Sequence, residues 1–161
     1  MKDNYVKLDR FDQRILAALQ RDGGLSNQQL AEEVGLSASP CSRRVQKLEE
    51  AGIIRARTAL LEPRALGLDM TALIQISMDR HTPERLENFE RTVASYEEVQ
   101  WCYLITGQAA DYVLKVMVPD MERYQQFLLN KITRIEGVSG VQSSFVMRKV
   151  VDSTAVPLGY L

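Results

Sequence analysis

The sequence predicts an α+β chain of two unlike units. A winged helix-turn-helix is expected over residues 1–62 and a ferredoxin-like βαββαβ unit over residues 70–161, with a linker at 63–69. Three observations predict this. Capped and terminated helical patterns follow one another three times between Asp9 and Gly52. Basic charge gathers on the third of them. Beyond Pro63 and the Gly67-Leu68-Asp69 turn, the apolar period switches between alternation and helical spacing in the order strand-helix-strand-strand-helix-strand.

Asp9 is placed to cap a first helix whose Phe11, Ile15, Leu16 and Leu19 share one face, and Gly23-Gly24 ends it. Ser26 and Gln29 read as a capping box, with Leu25 and Leu30 positioned to staple the entry. Gly35 is a natural left-handed terminator for this short second helix. The third helix lies in SASPCSRRVQKLEEAGII. Ser39 before Pro40 is the favoured N-cap, because proline is tolerated at the first helical position; Ser37 is the earlier alternative. Cys41, Val45 and Leu48 fall at i, i+4 and i+7 and are expected to face a core. Ser42, Arg43, Gln46 and Lys47 then face outward, with Arg44 on the flank. The run IIRARTALL reads as a following strand, with Arg55 and Arg57 on one side.

The charge pattern gives this half a partner class. Residues 1–67 hold 11 Lys+Arg against 9 Asp+Glu, whereas residues 68–161 hold 9 against 12, within a net charge of −1. Basic charge is therefore local, which suits a surface aimed at a polyanion. A helix fits the DNA major groove, where Arg and Lys read guanine, Gln reads adenine and Ser adapts. The expected DNA-facing residues are Ser39, Ser42, Arg43, Arg44, Gln46, Lys47, Arg55 and Arg57, with Arg44, Arg55 and Arg57 directed chiefly at phosphate. A solvated helix face would show the same charges, so the capping box, tight turn and third helix are what favour DNA.

In the second half, residues 70–79 alternate Ala72, Ile74, Ile76 and Met78 with Thr71, Gln75 and Ser77, a strand with one apolar face. Pro83 opens a helix carrying Leu86, Phe89 and Val93. VQWCYLI and DYVLKVMV form a hairpin around a Gly-containing loop. Asp120 caps a helix with Met121, Tyr124, Phe127 and Leu128 inward, and a last strand lies within VQSSFVMRKVV. Val99, Trp101, Tyr103 and Ile105 are expected on one face of the hairpin, with Cys102 and Leu104 on the other, so both faces read as largely apolar. Helices cover only one; a sheet-to-sheet homodimer is the expected cover for the second.

Other classes fare less well. No apolar run approaches the ~20 residues that span a bilayer, and the N-terminus lacks the apolar core of a secretory signal, so the expected compartment is the cytoplasm. Cys41 and Cys102 are expected as reduced packing thiols, Cys102 on a face buried at the dimer. With one histidine, His81, they form no zinc-ligand pattern. No metal or cofactor is expected. His81 is expected to be exposed, with no nucleophile to serve.

LDRFDQRILAALQ, LAEEVGLSASPCSRRVQKLEEAGII and TGQAADYVLKV together resemble the Lrp/AsnC family of bacterial and archaeal transcription regulators, over about residues 8–157. Ser39, Pro40, Cys41, Arg43, Arg44, Val45 and Leu48 match its recognition-helix motif. The resemblance implies double-stranded operator DNA as partner, a C-terminal effector-binding domain, and homodimers that often assemble into octamers. It also implies an amino acid or related metabolite as effector, held near the loop between the second and third strands at contacts between dimers. Gly107 and Asp111 match the glycine and aspartate of that loop, but Gly107-Gln108-Ala109-Ala110-Asp111 is one residue longer than the family's common spacing. Gly107, Gln108, Ala109 and Asp111 are the expected effector residues, with Ser143 and Ser144 reaching the same region. Two rival readings remain: an architectural DNA-binding protein without effector, and an enzyme such as a siroheme decarboxylase, which needs histidines that this chain lacks beyond His81.

Overall fold

The computed structural model describes residues 7–107 and 109–161. The chain divides into two compact units, one formed by the chain up to Leu61 together with Val151–Leu161, the other by Glu62–Val150. The second domain expected at 70–161 therefore gives its last residues to the first unit. The reason is local. The Gln20 side chain donates Nε2 to the Val156 carbonyl at 3.1 Å and accepts the Val156 N–H at 2.6 Å, and Leu158 packs on the first core. The expected linker at 63–69 is also ordered, containing a 3-10 turn, Pro63–Leu66, which the Glu62 side chain caps and Gly67 ends.

The first unit holds helices α1 (Arg10–Arg21), α2 (Asn27–Val34) and α3 (Ala38–Glu50). Asp9 caps α1 in a reciprocal box with Asp12, and Ser26 caps α2 in one with Gln29. Gly35 ends α2 at φ +75°. Ile15, Leu16, Leu30, Val34, Cys41, Val45 and Leu48 form the core. The cap of α3 is Ser37, not Ser39, which lies inside the helix. Pro40 thus occupies the third helical position, where the missing N–H would have found no intrahelical acceptor in any case.

No strand follows α3. Gly52 adopts φ +70°, and the amides of Ile53 and Ile54 turn back to the Leu48 carbonyl at 3.0 and 3.1 Å. This left-handed cap lays both isoleucines against the first core. Residues 55–62 then run without regular secondary structure and do not join the sheet, the only ladder among the described residues, and Leu60 and Leu61 are exposed.

The second unit has strands β1 (Met70–Met78), β2 (Val99–Leu104), β3 (Tyr112–Val118) and β4 (Val138–Phe145), with α4 (Pro83–Ala94) and α5 (Met121–Asn130). The antiparallel sheet has the order β2-β3-β1-β4, as the split βαββαβ arrangement requires. Ala72, Ile74, Ile76 and Met78 join Tyr112, Leu114, Val116 and Val118 against Phe89, Val93, Tyr124 and Phe127. Met121, expected inward, is exposed at the first position of α5.

The faces of β2 differ from their expected assignment. Pairing runs Val99 to Val116 but Trp101 to Lys115, so the register shifts around Gln100. The shift turns Val99 to the helix-covered side with Cys102, while Trp101 and Tyr103 stack on the open face at 4.9 Å. Cys102 accordingly packs beneath helices rather than on that open face. The open face is mixed, not largely apolar: Leu73, Val113, Met117, Trp101 and Tyr103 share it with Thr71, Gln75, Lys115 and Gln142.

Candidate nucleic-acid interface and effector loop

In α3 the periodicity separates packing from presentation. Cys41, Val45 and Leu48 are buried, Arg43, Gln46 and Lys47 are exposed, and Ser42 and Arg44 are half-buried. Arg43 lies one turn from Ser39 and donates to its Oγ at 3.3 Å. Gln46 donates to Glu50 at 2.8 Å. Burial pushes the Cys41 thiol pKa up, against the nearby Arg44 charge, which leaves the thiol a packing group.

Arg44 is committed to the fold. Its guanidinium reaches Asp9 at 2.7 Å and Asp12 at 2.8 Å, and lies 5.5 Å from the Phe11 ring centre. Hydrogen bonds from Arg44 to Asp12 and then Asp9 raise its pKa further. The Asp12 backbone N–H, followed by Arg44, holds the Asp9 carboxyl below its ordinary value. The phosphate contact expected of Arg44 would thus compete with two carboxylates. Of the expected wing cations, Arg57 donates back to Glu49 at 3.3 Å, and Arg55 is exposed.

The expected effector residues do not all converge. Gly107 sits at φ +84° in an exposed turn, and nothing lies within 4 Å of where a Cβ would stand, so the dihedral alone calls for glycine there. Gln108 lies outside the described residues. The Ala109 carbonyl accepts the Ser77 hydroxyl at 3.1 Å. Asp111 is engaged within the unit: Oδ2 accepts the Met78 N–H at 2.7 Å, Oδ1 meets His81 Nε2 at 2.6 Å, and its own N–H donates to Ile76. The Met78 amide first, and His81 after it, hold the Asp111 carboxyl below its ordinary value. His81 is thus exposed as expected but has a partner.

Ser143 and Ser144 stand apart from the loop. They pair with Ile74 and Leu73, whereas the loop bonds to Ile76, Ser77 and Met78 near the end of β1. Leu73 and Ser77 are four residues apart, roughly 13 Å along a strand. Ser143 also points to the helix side, where its hydroxyl meets Tyr124. The sequence reading missed this because alternation on an edge strand does not say which face is covered.

Comparisons with known proteins bear directly on these two units. Residues 8–55 match the model for winged helix-turn-helix DNA-binding domains, and residues 71–156 match the Lrp/AsnC ligand binding domain. The chain belongs to the Lrp/AsnC family. It is 41% identical over 146 residues to the leucine-responsive regulatory protein of Escherichia coli K12, covering 91% of this chain and 88% of that protein. A transcriptional regulator from Neisseria meningitidis, solved as its L-Met complex, is 39% identical over 96% of this chain and 99% of that one, with TM-score 0.92. An AsnC family regulator from Agrobacterium tumefaciens is 40% identical with the same coverage and TM-score 0.90. This Lrp/AsnC chain is a transcription regulator that joins a DNA-binding unit to a ligand-binding unit.

Proposed function

We propose that this Lrp/AsnC regulator binds a twofold-symmetric operator as a homodimer. Arg43, Gln46 and Lys47 read base edges, with Ser39 and Ser42 beside them, while Arg55 and Arg57 hold phosphate. An amino acid bound near Gly107, Gln108, Ala109 and Asp111 shifts the balance among its assemblies, dimer and octamer included. The observation that carries the DNA reading is the division of α3, with Cys41, Val45 and Leu48 inside and Arg43, Gln46 and Lys47 outside. The L-Met complex of the Neisseria regulator supports an amino-acid effector. The apolar part of the open sheet face supports a twofold contact, since such a contact reuses one patch.

An effector acts only through unequal affinity for the two states. Asp111 already accepts the Met78 N–H on Oδ2 and meets His81 on Oδ1, so a ligand ammonium would share that carboxylate with both. A regulatory role is supported by the relatives, which are transcriptional regulators, and the one histidine is bonded to Asp111. No described helix is long and apolar enough to cross a membrane.

Selection of bound duplexes from a random pool, followed by thermal-shift screening against every amino acid, tests the proposal. A single palindromic consensus and a raised melting temperature with a subset of amino acids are expected. Near-equal affinity for unrelated duplexes of one length would instead favour an architectural DNA-binding protein.

A further inference from the structure

The exposed face of α3 contains a narrow stripe. At about 100° per residue, Ser39, Arg43, Gln46 and Glu50 lie within roughly 60° of one another, opposite the buried Cys41, Val45 and Leu48. The stripe is bonded in two pairs: Arg43 donates to Ser39 Oγ at 3.3 Å, and Gln46 Nε2 donates to Glu50 Oε1 at 2.8 Å. Its last member is out of keeping with the rest. A carboxylate in the final turn opposes the negative end of the helix macrodipole, and on a face turned to DNA it also opposes phosphate. The other acid of that turn, Glu49, is matched by Arg57 at 3.3 Å. Glu50 instead accepts from an uncharged amide.

We propose that Glu50 is a positioning residue that sets which way the Gln46 amide meets a base pair, a role that rests on the base reading proposed for Gln46. An ionised carboxylate only accepts hydrogen bonds, whereas a glutamine amide has two unlike ends: Nε2 donates twice and Oε1 only accepts. With Nε2 toward Glu50, one N–H is taken up and the other stays beside Oε1. That free donor and acceptor, side by side, suit the N7 and N6–H edge of adenine. The amide flipped by 180° would set Oε1 against the carboxylate, oxygen against oxygen, so Glu50 excludes it. Without Glu50 the amide turns easily about its last bond and accommodates more than one base pair. The charge of Glu50 has a separate effect. It weakens phosphate-driven binding to every duplex alike, independent of sequence.

The test uses the full chain and a duplex selected from a random pool, with each base pair changed singly, and measures affinities for Gln46→Ala, Glu50→Ala, Glu50→Gln and the Gln46→Ala/Glu50→Ala double variant. Gln46→Ala should lose preference at one position of each half-site. Glu50→Ala should lower the preference at that same position by at least about fivefold on a symmetric operator, since contacting residues couple by about twofold or more and a homodimer makes the contact twice. It should keep preference elsewhere and bind unrelated duplexes more tightly. Glu50→Gln sheds the charge but keeps an acceptor oxygen, so it should retain more of that preference than Glu50→Ala. In the double variant, loss of Glu50 should cost nothing further at that position. Two results would overturn the positioning role while leaving base reading intact: Glu50→Ala keeps the full preference that Gln46→Ala loses, or Glu50→Ala lowers it by the same factor with and without Gln46. A pool without a preferred sequence, or equal weakening of every duplex by Gln46→Ala, would overturn the base reading itself and the positioning role with it.

Discussion

Replacing Arg43 by Ala should relax sequence preference at one base position of each half-site. The side chain is exposed, and its hydrogen bond to Ser39 Oγ is long at 3.3 Å, so releasing it for DNA costs under about 1 kcal/mol. Little of the base-contact energy is then offset. A bidentate arginine–guanine contact discriminates by about 1–3 kcal/mol. A homodimer makes that contact twice, and well-separated sites add, so about 2–6 kcal/mol is expected on a symmetric operator. The lower bound corresponds to roughly a 30-fold loss of affinity. Fluorescence anisotropy would compare the native chain and Arg43→Ala on the selected operator and on duplexes carrying each single base change. The variant should lose discrimination at one position per half-site and keep it elsewhere. Equal weakening on every duplex would refute the base-reading role and reassign Arg43 to phosphate.

Replacing Arg55 by Ala should weaken binding evenly across sequences and lower the slope of log K against log salt by about 1 per contact, read from affinities across a salt series. Replacing Arg44 by Ala should destabilise the first unit by about 1 kcal/mol, after discounting for partial exposure. A double-mutant cycle with Asp12→Ala in urea melts should recover most of that as coupling, and additivity would remove the clamp. For Asp111, the folded pKa lies below the ordinary value, so its contribution is present above about pH 4 and disappears as pH falls through the folded value. Asp111→Asn should therefore cost about 1–2 kcal/mol at pH 7 and less in acid; chemical melts at several pH values check the convergence. Burial, then Glu90, pushes the Cys102 thiol up to about 11, and Cys41 is buried, so both should react with a disulfide reagent at pH 8 far more slowly than in denaturant.

How far the fold could be read depended on whether its cause was local. The capping boxes at Asp9 and Ser26, the Gly35 stop and the alternation in β1 each arise within a few residues, and each stands where the sequence put it. The missing strand after α3 had a local cause too, but strand-forming Ile53, Ile54 and Thr58 masked the left-handed cap at Gly52. The Gln100 shift and the attachment of Val156 to Gln20 depend on partners far along the chain, which periodicity does not register. The same limit applied to the site residues. The inward and outward sets of α3 follow from helical spacing. The ties of Asp111 to Met78 and of Ser143 to Tyr124 could be found only by closing the sheet.

The adjacent arginines of α3 make this distinction concrete. One residue of helix rotates a side chain by about 100°, and that turn carries Arg43 into solvent while Arg44 lands on the acidic start of α1. Asp9 and Asp12 already serve α1, where carboxylates complement the amides of the first turn. Pairing them with Arg44 makes that cap a stop against rotation of α3. Such a stop has a purpose, because α3 offers the core only Cys41, Val45 and Leu48, and apolar contact is non-directional. Base reading is directional, since bidentate geometry tolerates little error in azimuth. Apolar burial holds the helix in place, and on the base-reading role proposed for Arg43 the Arg44 ion pairs to Asp9 and Asp12 would set the angle at which that side chain leaves it. Loss of Arg44 should accordingly blur specificity as well as lower stability, whereas a purely phosphate-binding Arg44 would lower affinity alone.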